Sequence, residues 1–145
     1  MSQSETYESG FSFTEYLIKK SVLEVNENYI PETNKKVKLD VNFSTNFNIN
    51  EAMDQAIVIL SCTLFKGFRE ENYPFYLFVE IVGNFTLAGD YSKIEIKQFC
   101  QINATAILFP YLRAYISQIT AISSMPHILL PTINVMKLLD INIEE

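Results

Sequence analysis

Ile107-Leu108-Phe109-Pro110-Tyr111-Leu112-Arg113-Ala114-Tyr115-Ile116 is an apolar run broken by one proline and one arginine. Proline lacks an N–H and fixes φ, so it is tolerated in the first turn of a helix and disfavoured further in. Pro110 is therefore expected to open a helix, with Phe109 just outside it. From there Leu112, Tyr115, Ile116, Ile119 and Ile122 recur at three- and four-residue steps, the period of a helix with one buried stripe. Tyr111 and Arg113 fall off that stripe. The pattern describes a helix laid on a sheet, and nothing in it is catalytic.

Toward the N-terminus the period changes from that of a helix to that of strands. Phe75 to Phe85 is rich in Phe, Tyr, Val and Ile, as a long strand is. Ala56 to Phe65 is apolar at nearly every position and reads as an interior strand covered on both faces. Lys66 to Asn72 is the turn between them, which makes an antiparallel meander. Lys36-Val37-Lys38-Leu39-Asp40-Val41-Asn42-Phe43 alternates without error, so Val37, Leu39, Val41 and Phe43 share one face. Phe13 to Val25 reads as a first long strand, with Phe13, Leu17, Leu23 and Val25 on one face and Tyr16, Ile18, Val22 and Glu24 on the other. Asn26 to Asn34, which contains Pro31, is a connection.

Toward the C-terminus, Leu87-Ala88-Gly89-Asp90 ends the strand pattern, and a helical segment around Ile94 to Asn103 leads into the Pro110 helix. Met125-Pro126 and Leu130-Pro131 bracket an extended stretch. Asn134 can cap a short last helix carrying Val135, Leu138 and Leu139. The expected fold class is α+β, a four-stranded antiparallel sheet in meander order followed by a long helix and a short C-terminal helix. A flexible segment over residues 1–12, a single domain over 13–140 and a short acidic tail over 141–145 complete the organisation.

A chain of 145 residues suits one domain and buries roughly two-thirds of the surface its unfolded form exposes. With 48% apolar residues and only 4 glycines it needs neither disulfide nor metal to fold. The formal net charge is −6 and the 11 Lys and Arg are scattered, which argues against nucleic acid as a partner. Acidity also keeps a protein with exposed apolar surface soluble. Residues 1–10 have no basic region or apolar core, so a cytoplasmic location is expected rather than secretion. No apolar run approaches the about eighteen residues of a membrane span, so no membrane insertion is expected. Cys62 and Cys100 lack any CxxC partner and read as buried free thiols of a reducing compartment, not as metal ligands.

A search for chemistry finds little. The single histidine, His127, sits between Pro126 and Ile128 and reads as a packing or surface residue. Neither GxGxxG nor the P-loop pattern occurs, so nothing predicts a phosphate cradle. Glu70-Glu71 and Glu144-Glu145 read as solvated pairs in a turn and a tail. No enzymatic activity, metal or cofactor is expected. What remains is apolar surface: aromatics are 13% of the chain. Phe43, Phe47, Tyr76 and Phe78 fall on faces or strand ends that one layer of helices would leave uncovered. Such surface marks an interface with another copy or a groove for extended peptide.

Three motifs then point to one family. Leu108-Phe109-Pro110-Tyr111-Leu112-Arg113 resembles the L-F-P-Y-x-R core of the SecB family of protein-export chaperones. Gly83-Asn84-Phe85-Thr86-Leu87-Ala88-Gly89 resembles the G-x-F-x-x-A-G end of the family's fourth strand. Leu130-Pro131-Thr132-Ile133-Asn134 resembles its L-P-P-I-N loop before the last helix. The similarity spans about residues 13 to 140 and marks Gly83, Phe85, Gly89, Phe109, Pro110, Tyr111, Arg113, Pro131 and Asn134 as structural positions.

The resemblance implies a homotetramer, a dimer of dimers, in which Phe109-Pro110-Tyr111 sets the entry of the long helix that joins the dimers. Arg113 is expected to be a structural hydrogen-bond donor. It implies an ATP-independent holdase, without cofactor, that binds unfolded or partly folded polypeptides in apolar grooves and keeps them soluble for export or hand-over. Holding would bury client side chains at roughly 25 cal/mol per Å² without sequence readout. Phe43, Phe47, Ile49, Tyr111 and Tyr115 are the expected groove residues. Export members hand clients to the SecA motor through acids on the outer sheet face and a polar, acidic tail. Here Glu24 matches one of those acids, but Lys20 stands where the first strand carries another. Phe78 falls near the acid of the fourth strand, with Glu80 two residues on. Only Asp140-Ile141-Asn142-Ile143-Glu144-Glu145 remains after Leu139. Glu24, Phe78 and Glu80 are thus the expected partner-facing residues. The departures argue against SecA and for a dedicated partner, such as the labile antitoxin of a toxin–antitoxin pair. The alternative from another class is a carrier with a cavity for a small apolar ligand between sheet and helices.

Overall fold

Every second residue of the strand Phe75–Leu87 is buried and most of those between are partly exposed, as a strand covered on one face requires. In the computed structural model, which describes residues 5–6, 10–32 and 38–130, this strand is β5 and lies near the middle of the sheet. The others are β1 (Glu5–Thr6), β2 (Phe11–Val25), β3 (Val41–Ile49) and β4 (Gln55–Leu64). Every pairing is antiparallel, in the order β1-β2-β5-β4-β3. A continuous helical stretch follows, made of α1 (Lys93–Gln98), a π-helical turn (Phe99–Ala104) and α2 (Thr105–Ile122). The architecture is the expected α+β one, a four-stranded antiparallel sheet with a long helix, to which the short β1 adds an edge.

The strand order departs from a simple meander. Strands β3, β4 and β5 follow one another, but β2 pairs with β5 across the sheet from β3. The connection over residues 26–40 must cross three strand spacings, about 14 Å, well within its reach. Asn26 anchors its start. The buried Asn26 amide donates from Nδ2 to the carbonyls of Phe68 (3.2 Å) and Tyr73 (2.9 Å), and Oδ1 accepts from the Asn28 N–H at 3.1 Å.

Several local expectations change. β2 starts at Phe11, whose buried ring stacks on Phe99 with centroids 3.9 Å apart, so this end of the 1–12 segment belongs to the core. Register shifts between Phe13 and Glu15 and between Ile18 and Lys20 break the strict alternation of β2. They turn Tyr16 and Ile18 toward the helix side, where Tyr16 pairs with Gly83 and Ile18 with Ile81, and leave Leu17 on the outer face beside Val82. Leu39, Val41 and Phe43 keep their shared inward face, but β3 runs later than expected, to Ile49. β4 is interior in the sheet, yet only its inward residues Ala56, Val58, Leu60, Cys62 and Leu64 are buried; Ile57 on the outer face is 43% exposed. Val37, Pro131, Asn134, the last helix with Val135, Leu138 and Leu139, and the 141–145 tail lie outside the described residues.

Pro110 lies inside α2 and does not open it. Ser92 begins the helical stretch instead: its hydroxyl accepts from the Glu95 N–H, and the Glu95 carboxylate accepts from the Ser92 N–H. An interior proline costs about 3 kcal/mol through its missing donor and its ring clash. Here Ala106, whose carbonyl loses its donor, and Pro110 are both exposed, so water can take the orphaned acceptor. Burial of Leu108, Phe109, Leu112 and Ile116 on the other side offsets the penalty. The buried stripe therefore begins before the proline, and Phe109 is part of it. At the far end Ile122 is 81% exposed, while Thr120 is buried, its hydroxyl donating to the Ile116 carbonyl at 2.8 Å.

Candidate functional site

Gly83 carries no side chain where α2 crosses the sheet. A Cβ there would lie 2.7 Å from Cδ2 of Leu108, so Leu108 packs on bare backbone. Two residues on, Phe85 is 1% exposed, tilted against Phe13 at 5.3 Å and edge-on to Phe99 at 5.5 Å. Phe109 meets Phe43 edge-on at 5.8 Å. Gly89 has φ 131°, a conformation that suits glycine. After α2 the chain reverses at Ser124 and returns along the helix. The Met125 N–H donates to the Thr120 carbonyl (3.1 Å), the Ile128 N–H to the Thr120 hydroxyl (3.1 Å), and Ser117 Oγ bonds His127 Nε2 (2.7 Å). Arg113 Nε donates to the Leu130 carbonyl, so Arg113 is a hydrogen-bond donor to backbone. The three motifs thus meet: Gly83 lies under Leu108, and Arg113 ties the helix to Leu130.

The expected groove residues separate into three places. Phe47 and Ile49, on the inner face of β3, line a pocket of about 550 Å³ with Asn50, Glu51 and Met53 of the β3–β4 turn and Lys93 and Lys97 of α1. Tyr111 lies on the β2 side instead. It is 39% exposed and stacks at 4.2 Å on Tyr16, itself 42% exposed. Tyr115, one turn along from Tyr111, is half-buried against the core. Phe43 is buried under Phe109 and offers no free surface. Sequence reading missed Tyr16, because the register shift after Phe13 redirects it, and it missed Met53. The signal for Met53 was the hairpin pair Asn50 and Asp54: Asn50 Oδ1 accepts from the Asp54 (3.0 Å) and Gln55 (2.9 Å) N–H groups, and Met53 sits between them at φ 59°.

The outer sheet face gathers the expected partner-facing residues. Register places Leu17, Val82 and Ile59 in one row, Lys20, Glu80 and Ser61 in the next, and Val22, Phe78 and Thr63 in a third. Glu24 pairs with Tyr76 beyond them. The Glu24 carboxylate accepts from Arg69 at 3.2 Å, and Lys20 Nζ stands 5.8 Å from the Phe78 ring centroid. Ser61 Oγ lies 3.5 Å from Glu80 Oε2. Acid on this face is thus offset by Lys20 and Arg69 and interleaved with apolar side chains.

Neither thiol is set up as a nucleophile: burial pushes Cys62 up to about 12 and Cys100 up to about 11, so both stay protonated at neutral pH. Among the described residues no cluster of three His, Cys, Asp or Glu could hold a metal ion, and no helix is long and apolar enough to cross a membrane.

The model of the family described as preprotein translocase subunit SecB matches residues 5–145. The chain belongs to the SecB family. That family is one of chaperones, not of enzymes. The uncharacterized protein MJ0357 of Methanocaldococcus jannaschii is 38% identical over 138 residues, which are 94% of this chain and 86% of that one. Among solved structures, the fold is similar to that of the Mycobacterium tuberculosis Rv1957 SecB-like chaperone in complex with a ChAD peptide from the Rv1956 HigA1 antitoxin. The TM-score is 0.68 at 15% identity, over 85% of this chain and 87% of that one. In this chain the contact of Gly83 with Leu108 gives a physical reason for the glycine at one position and the leucine at the other. Nothing of that kind explains Phe47, Met53 and Lys97, which lie outside the three motifs.

Proposed function

We propose that this SecB-family chain is an ATP-independent holdase of the cytosol, which binds unfolded or partly folded polypeptides and keeps them from aggregating. The observation that carries this reading is apolar surface left open on the SecB scaffold: the pocket lined by Phe47, Ile49 and Met53, and the Tyr16–Tyr111 stack. Burying one large apolar side chain contributes about 1.5–3 kcal/mol, while ordering each client residue costs about 1–2 kcal/mol. One pocket therefore barely holds a segment, and stable holding needs several subsites on one client. A homotetramer would supply them through effective concentration. Beyond Phe13 the edge of β2 has no strand neighbour among the described residues, and it could pair with an extended client or with a second copy.

Dilution of a chemically denatured protein into buffer, followed by light scattering, tests the reading. The holdase suppresses aggregation at near-stoichiometric ratios without nucleotide; unchanged scattering sinks the proposal. Native mass spectrometry adds the oligomer. An empty tetramer of the 16.7 kDa chain supports the reading, and a monomer carrying a lipid supports the carrier alternative.

A second reading, a chaperone dedicated to an antitoxin, is favoured by the fold shared with an antitoxin-binding SecB-like protein and by the outer face, where Lys20 and Phe78 stand. Purification from the source cell decides between them. A toxin–antitoxin partner supports the dedicated role, whereas SecA without such a partner supports export.

A further inference from the structure

The pocket between the β3–β4 turn and α1 carries charges that a purely apolar groove would not have. Phe47, Ile49 and Met53, each partly buried, form its apolar lining, and the exposed Lys93 and Lys97 of α1 and Glu51 line it beside them. Residues four apart lie on the same helix face, and Lys93 and Lys97 both line this one pocket. In a chain of net charge −6, two cations against one carboxylate beside an apolar lining invert the charge locally.

The lysines are also uncommitted. Among the described residues neither has an ion-pair partner. The acid between them, Glu95, is turned back to accept from the Ser92 N–H at 3.0 Å, and Asp54 is engaged by the Asn50 amide. The turn that shapes the pocket is fixed by its own bonds, including that of the Met53 N–H to the Asn50 carbonyl at 3.0 Å. A ligand therefore meets a formed site and pays little to organise it.

We propose that this pocket selects acidic-apolar client segments. The client's apolar side chain sits on Phe47, Ile49 and Met53, and a neighbouring Asp or Glu of the client is held by Lys93 and Lys97. The inference rests on the holdase reading and names its client class. An acidic protein repels acidic segments at a distance, so without these lysines such segments would be its poorest ligands. Exposed ion pairs are individually weak and screened by salt, so the preference is expected to be about threefold to tenfold and to shrink as salt is raised.

The test uses the full chain and short labelled peptides that share one apolar core flanked by Glu, Gln or Lys, with binding read by fluorescence anisotropy at low and high salt. Glu-flanked peptides bind tightest to the wild type. The Lys93→Glu/Lys97→Glu variant reverses the order toward Lys-flanked peptides, a gain that a misfolded protein cannot produce. Binding without regard to flank, a wild-type preference for Lys flanks, or a variant that keeps the wild-type order overturns the proposal and leaves the holdase standing. Failure of every peptide to bind overturns this inference, and the holdase reading falls with it only if the light-scattering assay also shows no suppression of aggregation.

Discussion

Phe85 and Phe78 occupy the same strand and carry the same side chain, yet one is 1% exposed beneath α2 and the other lies on the open face of the sheet under Lys20. The two faces of β5 differ in what determines their residues. On the inner face, packing decides: Gly83 is absent of side chain because Leu108 fills its space, and Phe85 is wedged between Phe13 and Phe99. On the outer face, Val82 and Phe78 have no layer over them among the described residues, so packing within the chain does not account for them, whereas Tyr76 beyond them packs on Phe68 with ring centroids 5.7 Å apart. An apolar residue that the fold does not need is the place to look for a partner.

That contrast can be broken at graded points. The widest separation is between Phe85→Ala and Phe78→Ala. Urea unfolding should show a loss of about 3–5 kcal/mol for the first, through the lost transfer energy and the cavity. The second should lose less than about 1 kcal/mol in the isolated chain. Equal losses would mean that the outer face is buried in the folded assembly. Next come the polar groups. Asn26→Ala leaves the carbonyls of Phe68 and Tyr73 without their side-chain donor and should cost about 1–3 kcal/mol. Asn46→Ala, on the exposed edge strand, should stay within about 0.5 kcal/mol. Gly83→Ala follows, at about 1–2 kcal/mol, by pushing Leu108 off the sheet. Leu108→Val should reduce that increment in a double-mutant cycle, because the clash is with a Leu108 methyl.

A pH effect comes last. Cys62 has an ordinary value of 9.0 and is raised by burial to about 12 in the folded chain. The unfolded thiol therefore ionises first, and stability falls as pH rises past about 9, by at most about 1.4 kcal/mol per pH unit for this group, levelling off above its folded value. Urea unfolding from pH 8 to 10.5 should show a steeper decline in the wild type than in Cys62→Ala. Parallel curves would mean that the thiol reaches water.

Much of the fold was legible because strands and helices write different periods. The alternation through Val41 and Phe43 and the spacing Leu112–Ile116 gave the right inward faces, whereas the apolar run of β4 read as covered on both faces and is buried on one. What failed were features no local period encodes. The register shifts in β2 redirect Tyr16 and Leu17 through pairing with β5, which is a long-range matter. Pro110 read as a helix start because its penalty is local, whereas the burial of Leu108 and Phe109 that offsets it comes from the sheet. The site was legible only in halves. Phe47 was recognisable as a surplus aromatic and Ile49 as an expected groove residue, but Met53 and Lys97 join them only when the turn and α1 come together.

The central claim is that the chain recognises the unfolded state through apolar surface. Isothermal titration against a permanently unfolded, reduced and alkylated polypeptide, and against the same polypeptide in its folded form, tests it at several temperatures. The account predicts binding to the unfolded form alone, without nucleotide, and with a negative heat-capacity change from apolar burial. Equal binding to both forms, or none to the unfolded one, would contradict it.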